Sequence, residues 1–373
     1  VENISTHLGI FDKSYGTEKA NLKSVVKLDL IQKHTNGEPF DYIGNSRDDL
    51  IIWKSCETPI LVNSSIYINN KVTLFQKDPV YIQNRSNLLK EALKLMRVHQ
   101  WSKNILLFLP IILAASFSQE ILINTFLGFT AFSLLASSFY IFNDLMDIEN
   151  DRNHSSKKNR PLASGNFSIT NSIILSSVCL FFAALIALQL NTSFQSILTF
   201  YAIANFTYSK FLKKIPVVDI ITLACLYLVR IIGGATISNV ELSNWLITFS
   251  VFFFLFLATV KRWIEIEKSS SLLFFSRGYV KEDISFLENL SYFCGLISVL
   301  IICLYIDSQQ AALIYSNSKF LWFIPLVFLY WIVETLFLAT RKEVDDDPVV
   351  YALKSKTSYF CLIFLTIIFY LAL

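Results

Sequence analysis

The sequence predicts an all-α membrane bundle of about nine transmembrane helices, preceded by a small incomplete α/β segment. Three observations lead there. Of the 373 residues, 54% are hydrophobic and 33 are Phe, more apolar surface than a soluble domain can hide. Only 16% are charged, against about 25% in an average soluble protein. The charge is also uneven: residues 1–103 read like a soluble protein, whereas 104–373 alternate apolar runs with short polar loops.

Apolar segments fall at 104–118, 121–142, 168–190, 193–209, 217–236, 243–260, 289–306, 318–339 and 357–373. Each is near the roughly 17–25 residues a spanning helix needs, the first and last being the shortest. The loops give the orientation. Those at 143–167, 209–216, 261–288 and 340–356 carry many Lys and Arg, among them Lys210, Lys214, Arg262, Lys268, Lys281 and Lys342. The opposite set, near 119–120, 191–192, 237–242 and 307–317, carries essentially none before Lys319. The positive-inside rule puts the first set in the cytoplasm, as in a multi-pass protein of a bacterial-type inner membrane. Nine spans after a cytoplasmic amino-terminal segment place the carboxyl terminus outside. The domains expected are 1–80 (α/β), 81–95 (a linker into an interfacial helix) and 96–373 (the membrane bundle).

The net charge of +3 gives no argument for nucleic acid. The six cysteines form no CxxC pair and lie mostly in apolar runs, so they read as small buried hydrophobes.

The segment from Asn143 to Gly165 carries the chemistry. Asn143, Asp147 and Asp151 are spaced i, i+4, i+8, which on a continued helix lines them along one face, with Asp144 beside the stripe. Hard oxygen ligands of this kind suit Mg²⁺, which shares its shell with water and substrate phosphates. The bland alternative is a solvated helix end. It is weakened by the basic cluster directly downstream: Arg152, His154, Lys157 and Arg160, then Pro161-Leu-Ala-Ser-Gly165. Arg152 and Arg160 suit bidentate phosphate contacts and Lys157 a point charge, although topology alone accounts for Lys158. His154 is either a general base, a phosphate donor or a surface histidine of no special role.

A second constellation runs from Tyr208 through Lys210, Lys213, Lys214 and Pro216 to Asp219, then Arg230 and Gly233-Gly234. Asp219 and Arg230 fall on roughly the same helix face. Charges at membrane depth usually face a polar cavity, so the two either form a structural ion pair or serve a metal or anion site. Further groups at this end are Arg97, Trp101, Lys103 and Asn104 before the first span, an arrangement also common in interface anchors, and Lys261-Arg262 with Glu265. The run Asp345-Asp346-Asp347 before the last span reads as a surface acidic stretch.

These residues resemble the UbiA-type superfamily of intramembrane prenyltransferases over about 95–373, roughly three-quarters of the chain. Within it the nearest likeness is to the polyprenyl-phosphate (decaprenyl-phosphate) phosphoribosyltransferases. It rests on Gln100-Trp101-Ser-Lys103-Asn104, on Asp151-Arg152-x-His154-x-x-Lys157-x-x-Arg160-Pro161, and on Tyr208, Lys213, Asp219 and Arg230. The resemblance implies a transferase joining phosphoribosyl diphosphate to a polyprenyl phosphate, with Mg²⁺-dependent release of diphosphate and Mn²⁺ as a substitute ion. It implies catalytic carboxylates at Asp144, Asp147, Asp151 and Asp219, with the metal at Asn143, Asp147 and Asp151. Substrate contacts are expected from Lys103, Asn104, Arg152, His154, Lys157, Arg160, Tyr208, Lys213, Arg230 and Lys261. Only Asp219 stands in the second acidic motif, where quinone-pathway members often have a fuller DxxxD. That departure weakens a two-metal mechanism. The partners implied are the lipid phosphate, the ribosyl donor and membrane lipids, with a homo-oligomer allowed and no nucleic acid.

Residues 1–80 alternate short strands and helices, notably Asp41 to Trp53 and Pro59 to Asn63. They resemble the carboxyl-terminal half of a haloacid-dehalogenase-like domain, with Asp49 in its Gly-Asp-Ser-x-x-Asp loop and Lys27 as its lysine. Asn45 replaces the first Asp, and no Asp-x-Asp motif lies upstream. The expectation is therefore no phosphatase activity and a missing upstream segment.

Three other functions compete. A prenyltransferase moving a polyprenyl group from its diphosphate to an aromatic acceptor is the nearest. A transporter would spread its charges across membrane depth, whereas here they gather at one side. An inactive scaffold has no need of the Asn143–Gly165 run.

Overall fold

The computed structural model describes residues 2–16, 22–75, 78–82, 87–153, 157–268, 273–274, 278–343, 348, 351–352 and 355–372. The chain forms two units, residues 1–90 and 91–373.

The first unit holds α1 (Glu2–Leu8), α2 (Ser24–Thr35), β1 (Tyr42–Gly44), α3 (Leu50–Ser55), β2 (Pro59–Val62), α4 (Ile66–Thr73) and β3 (Val80–Ile82). The strands make one parallel sheet in the order β1-β2-β3, as the strand–helix alternation predicts. Its core is Leu28, Tyr42, Ile52, Trp53, Cys56, Leu61, Ile68 and Val72. Asp49 organises the turn after β1. Its carboxylate accepts from Tyr42 Oη at 2.6 Å, from Ser46 N at 2.9 Å and Oγ at 2.8 Å, and from Asn45 N at 3.2 Å. Lys27 Nζ stands 3.6 Å from the carboxylate and donates to Tyr42 Oη at 2.6 Å. Burial works to raise the Asp49 pKa, but the hydrogen bonds from Tyr42, Ser46 and Asn45 outweigh it and hold the carboxyl below its usual value.

The second unit is helical. It begins in α5 (Leu88–Leu95), whose Leu95 is buried against Ile141, Leu162 and Phe167. The expected linker therefore ends in a helix whose last turn packs on the bundle. A 3-10 segment (Val98–Phe108) and short α6 (Leu109–Leu113) occupy the first expected span, 104–118. They dock on α7 (Gln119–Met146) through serines. Asn104 Nδ2 donates to Ser133 Oγ at 2.9 Å, Trp101 Nε1 to Ser137 Oγ at 3.0 Å, and Ser137 Oγ to Met96 O at 2.8 Å. Ser133 and Ser137 are four apart on one face, small enough for close approach and able to satisfy buried donors.

After α7 come α8 (Ile148–Arg152), α9 (Ile169–Ala187), α10 (Thr192–Lys210), α11 (Val218–Ser238) and α12 (Asn244–Lys268). The chain continues through α13 (Ile284–Ile306), α14 (Gln309–Ile314), α15 (Phe323–Thr340) and α16 (Lys356–Ala372). Among the described residues, six helical stretches are long and apolar enough to cross a membrane: 119–146, 169–187, 218–238, 244–268, 281–306 and 318–340. The other three expected spans differ in kind. The first is mainly 3-10, α10 is studded with Thr, Ser, Asn and Gln, and α16 is a shorter apolar helix of 17 residues.

α11 is the central helix. On one side it shares a core with α7, α9 and α10 around Phe132, Phe194 and Tyr201. On the other it shares one with α12, α13 and α15 around Phe256, Trp263 and Trp331. By contrast α9 turns Ile173, Ile174, Val178, Phe181 and Phe182 outward, the composition of a lipid-facing surface.

The close packing at α11 can be tested directly. A Cβ on Gly234 would lie 2.0 Å from the Leu107 carbonyl oxygen, while one on Gly233 would meet side chains alone, the Phe132 ring at 3.2 Å and Ile197 Cγ2 at 3.6 Å. Gly234→Ala is therefore expected to destabilise the detergent-solubilised protein by about 1–3 kcal/mol, and Gly233→Ala by clearly less, as read by thermal unfolding. In the amino-terminal unit, the depressed Asp49 pKa contributes stability above the unfolded carboxyl value of about 4, and loses it as pH falls through the folded value. Hydrogen exchange of residues 42–62 should accelerate on acidification below about pH 4, and Asp49→Asn should flatten that dependence.

Candidate active site

The site lies where α7 ends, α10 ends and α11 begins. Asn143 Nδ2 donates to Ser209 Oγ at 3.1 Å, which ties the first motif to the second at one end of the bundle. Helix α12 ends at this same end, where Arg262 meets Asp219 of α11. The basic loops are thereby gathered together.

The expected continuous helix is interrupted. α7 stops at Met146, Asp147 has φ −104° and ψ 13°, and α8 resumes at Ile148. The i→i+4 bonds nevertheless run through the break, from Asp147 N to Asn143 O at 3.0 Å and from Asp151 N to Asp147 O at 2.8 Å. Asn143, Asp147 and Asp151 therefore remain one turn apart, with a bend at the middle residue.

The carboxylates differ in their partners. Asp144 is 3% exposed and receives Arg97 Nη2 at 2.5 Å and Arg160 Nη1 at 3.1 Å. Asp151 is 4% exposed and receives the same Arg160 nitrogen at 2.7 Å. Arg97, Asp144, Arg160 and Asp151 thus form a chain of alternating charge, with Arg97 also over the Tyr140 ring. Asp147 is half-buried and has no ion-pair partner among the described residues. Of the three expected metal ligands, Asp151 is held by the Arg160 guanidinium. Asn143 and Asp147 are left as the pair open to an ion. Two hard oxygen ligands fit Mg²⁺ that completes its shell with substrate phosphate and water.

The cations also sort into two kinds. Arg152 is exposed and its Nε holds the Ala163 carbonyl at 3.2 Å, pinning the Pro161–Gly165 turn. Lys157 is exposed. His154 lies outside the described residues. Lys103 is half-buried with Nζ 5.9 Å from the Tyr227 ring centre. Tyr208, Lys213 and Lys261 are half-buried and interact with neighbours.

Two expected substrate contacts, Arg230 and Asn104, are bonded into the framework. Arg230 is 5% exposed, donating from Nε to Asn104 Oδ1 at 2.8 Å, from Nη2 to Tyr201 Oη at 2.9 Å, and from Nη1 to Leu226 O. With Asn104 also donating to Ser133, this network joins α7, α10, α11 and the 3-10 segment.

Asp219, expected as a catalytic carboxylate, lies buried against Arg262. Asp219 and Arg262 are fully buried as an ion pair, Oδ2 and Nη2 being 2.6 Å apart though not aligned as a hydrogen bond. Tyr279 Oη donates to Asp219 Oδ1 at 2.6 Å, and Arg262 Nη1 also pairs with Glu265. Asp219 therefore pairs across to α12 and not along its own helix to Arg230. Sequence reasoning gave no role to Ser209 or Tyr279, set Arg97 only among the groups before the first span, and grouped Arg262 with Glu265 but not with Asp219. Arg262 carried a usable signal, an Arg inside an apolar helix that needs an acidic partner. Tyr279 carried none, because its partners are about sixty residues away.

A model described as the UbiA prenyltransferase family matches residues 105–267. The protein y4nM of Sinorhizobium fredii is 33% identical over 370 residues, covering 96% of this chain and 71% of that protein. The decaprenyl-phosphate phosphoribosyltransferase of Corynebacterium glutamicum is 31% identical over 195 residues, covering 49% of this chain and 57% of that enzyme. Among solved structures, a UbiA homolog from Archaeoglobus fulgidus bound to GPP and Mg²⁺ superimposes with a TM-score of 0.56 at 16% identity, over 76% of this chain and 99% of that one. The helical bundle thus has the fold of the solved UbiA homologs, and the match over residues 105–267 places the chain in the UbiA prenyltransferase family.

Proposed function

We propose that this membrane transferase joins phosphoribosyl diphosphate to a polyprenyl phosphate. The observation that carries the reading is the charge arrangement at the end of α7. The bent Asn143–Asp147 pair alternates with Asp144 and Asp151, both held by Arg160, with Arg152 and Lys157 next in the sequence and Lys213 and Lys214 on the loop after Ser209. An open oxygen pair beside cations suits a diphosphate accompanied by Mg²⁺, the ion bound in the Archaeoglobus fulgidus homolog.

In this reaction a phosphate oxygen of the lipid forms a bond to C1 of the ribosyl group, the C1–O bond to diphosphate breaks, and diphosphate departs with the bonding pair. Asn143 and Asp147 would hold Mg²⁺, which would supply charge neutralisation for the leaving group. Arg152 and Lys157 add their charge to the departing oxygens, and Arg160 reaches them from its place between Asp144 and Asp151. The lipid phosphate is already a nucleophile, so its chief requirement is alignment, for which Lys103 and Lys213 are suited. The polyprenyl chain lies along apolar helix surface. On this reading the site faces the cytoplasmic side of a bacterial inner membrane, with nine passes of the chain and the basic loops inside.

The alternative, transfer of a prenyl group from its diphosphate to an aromatic acceptor, is supported by the prenyl diphosphates in the Archaeoglobus homologs. It is disfavoured by Asp219, the sole carboxylate of the second motif, which is already neutralised by Arg262. Purified protein given Mg²⁺, polyprenyl phosphate and ribose-labelled phosphoribosyl diphosphate should form a labelled lipid. Labelled lipid arising only from prenyl diphosphate and an aromatic acid would support the alternative instead.

Two variants probe the roles. Asp147→Ala should lower transfer by at least about a hundredfold while leaving membrane insertion intact, and full activity would refute the metal assignment. Arg160→Lys, which keeps the charge but loses the fork, should raise KM for the phosphoribosyl donor by about tenfold and leave KM for the lipid nearly unchanged. Equal shifts for both substrates would remove Arg160 from the donor site.

A further inference from the structure

The loop between α10 and α11 carries Lys210, Lys213 and Lys214, and it reaches α11 through a strained residue. Val217 has φ +68° and ψ −46°. A β-branched residue with positive φ is a genuine outlier, and such strain persists only where the surroundings over-determine it. The surroundings here come from the hairpin of β4 (Leu273–Phe274) and β5 (Tyr279–Val280) that lies beyond α12.

Tyr279 is 2% exposed, and its hydroxyl does two things at once. It accepts the Val217 N–H at 2.8 Å and donates to Asp219 Oδ1 at 2.6 Å. Arg262, fully buried, neutralises the same carboxylate. Gly278 completes the contact. It has φ +73°, and a Cβ there would lie 2.4 Å from the Lys214 carbonyl oxygen and 3.1 Å from Pro216 Cδ. The hairpin backbone therefore lies directly against the lysine loop at its last turn. At the loop's other end, Ser209 bonds Asn143 of the first motif. Burial and the bond to Asp219 raise the Tyr279 pKa well above its ordinary value, so the hydroxyl keeps its proton and its donor role throughout the physiological range.

We propose that Tyr279 is a positioning residue: with Gly278, Asp219 and Arg262 it latches the Lys210–Pro216 loop so that Lys213 and Lys214 present their charge to a phosphate-bearing substrate beside Asn143 and Asp147. The substrate class rests on the phosphoribosyl reading above. The latch itself rests only on geometry. The arrangement explains why a carboxylate of the second motif is buried and paired. Asp219 holds the loop and does not touch the reacting atoms.

The test uses the full chain in lipid nanodiscs, with inorganic diphosphate plus Mg²⁺ as the anion probe. Tyr279→Phe keeps the ring and removes the hydroxyl. It should speed hydrogen exchange in the peptide covering residues 211–219, the Val217 amide included, and weaken diphosphate binding by about tenfold, the scale of a lost buried hydrogen bond. Phosphoribosyl transfer should show a donor KM raised by a similar factor, with kcat within about twofold. Gly278→Ala, which pushes on the same loop from the other strand end, should give the same pattern and serves if Tyr279→Phe fails to fold. In a Lys213→Ala, Lys214→Ala background, Tyr279→Phe should weaken diphosphate binding no further, whereas a merely structural tyrosine would still weaken it.

Unchanged exchange at Val217, unchanged diphosphate affinity, or a fall in kcat alone would each overturn the proposal. If the wild-type protein makes no labelled lipid, the phosphoribosyl reading fails. The latch is then judged on exchange and diphosphate affinity alone.

Discussion

The burial of opposite charges at one end of an apolar bundle is the constraint on which the rest depends. A carboxylate or guanidinium removed from water must be neutralised nearby, because an unpaired charge there costs several kcal/mol. Asp219 and Arg262, both fully buried, satisfy this across two helices. Arg97, Asp144, Arg160 and Asp151 satisfy it as a chain linking the start of the 3-10 segment, the end of α7, α8 and the turn before α9. The Asp219–Arg262 and Arg97–Asp144 pairings join segments far apart in sequence, so the same interactions that neutralise charge also fix where the loops meet.

That requirement divides the cations by chemistry. The most deeply buried positions are arginines: Arg230 and Arg262. A guanidinium offers several donors in a planar fork and is more weakly hydrated than an ammonium, so it satisfies several partners while buried. Arg230 does so with Asn104, Tyr201 and the Leu226 carbonyl. The lysines lie nearer the surface. Lys157 and Lys214 are exposed, and Lys103 and Lys213 are half-buried. Point charges nearer the surface of a pre-paired interior suit the recognition of an anionic group. Small residues complement them: Gly234 lets the Leu107 backbone approach, and Ser133 and Ser137 receive Asn104 and Trp101.

The amino-terminal unit obeys the same logic on a smaller scale. Asp49 collects hydrogen bonds from its own turn and from Tyr42, and Lys27 stands beside it. Strand–helix alternation predicts an α/β segment here, and a parallel sheet of three strands agrees with that reading. In such a sheet, alternation in the sequence translates directly into topology, since parallel neighbours require crossovers.

What the sequence by itself determined was whatever depends on local composition and periodicity. Long apolar runs specify helices such as α7 and α12, because spanning segments must satisfy their own backbone hydrogen bonds. The four-residue spacing from Asn143 to Asp151 specifies one turn between ligands even through the bend at Asp147. What tertiary structure alone decided was the partner of each charge. Asp219 was legible as a buried acid, but its pairing with Arg262 and Tyr279, and the diversion of Arg230 to Asn104 and Tyr201, are contacts between distant segments. The physical reason is that a charge's need for neutralisation is written in its own residue type and depth, whereas which distant group meets that need depends on how the helices pack.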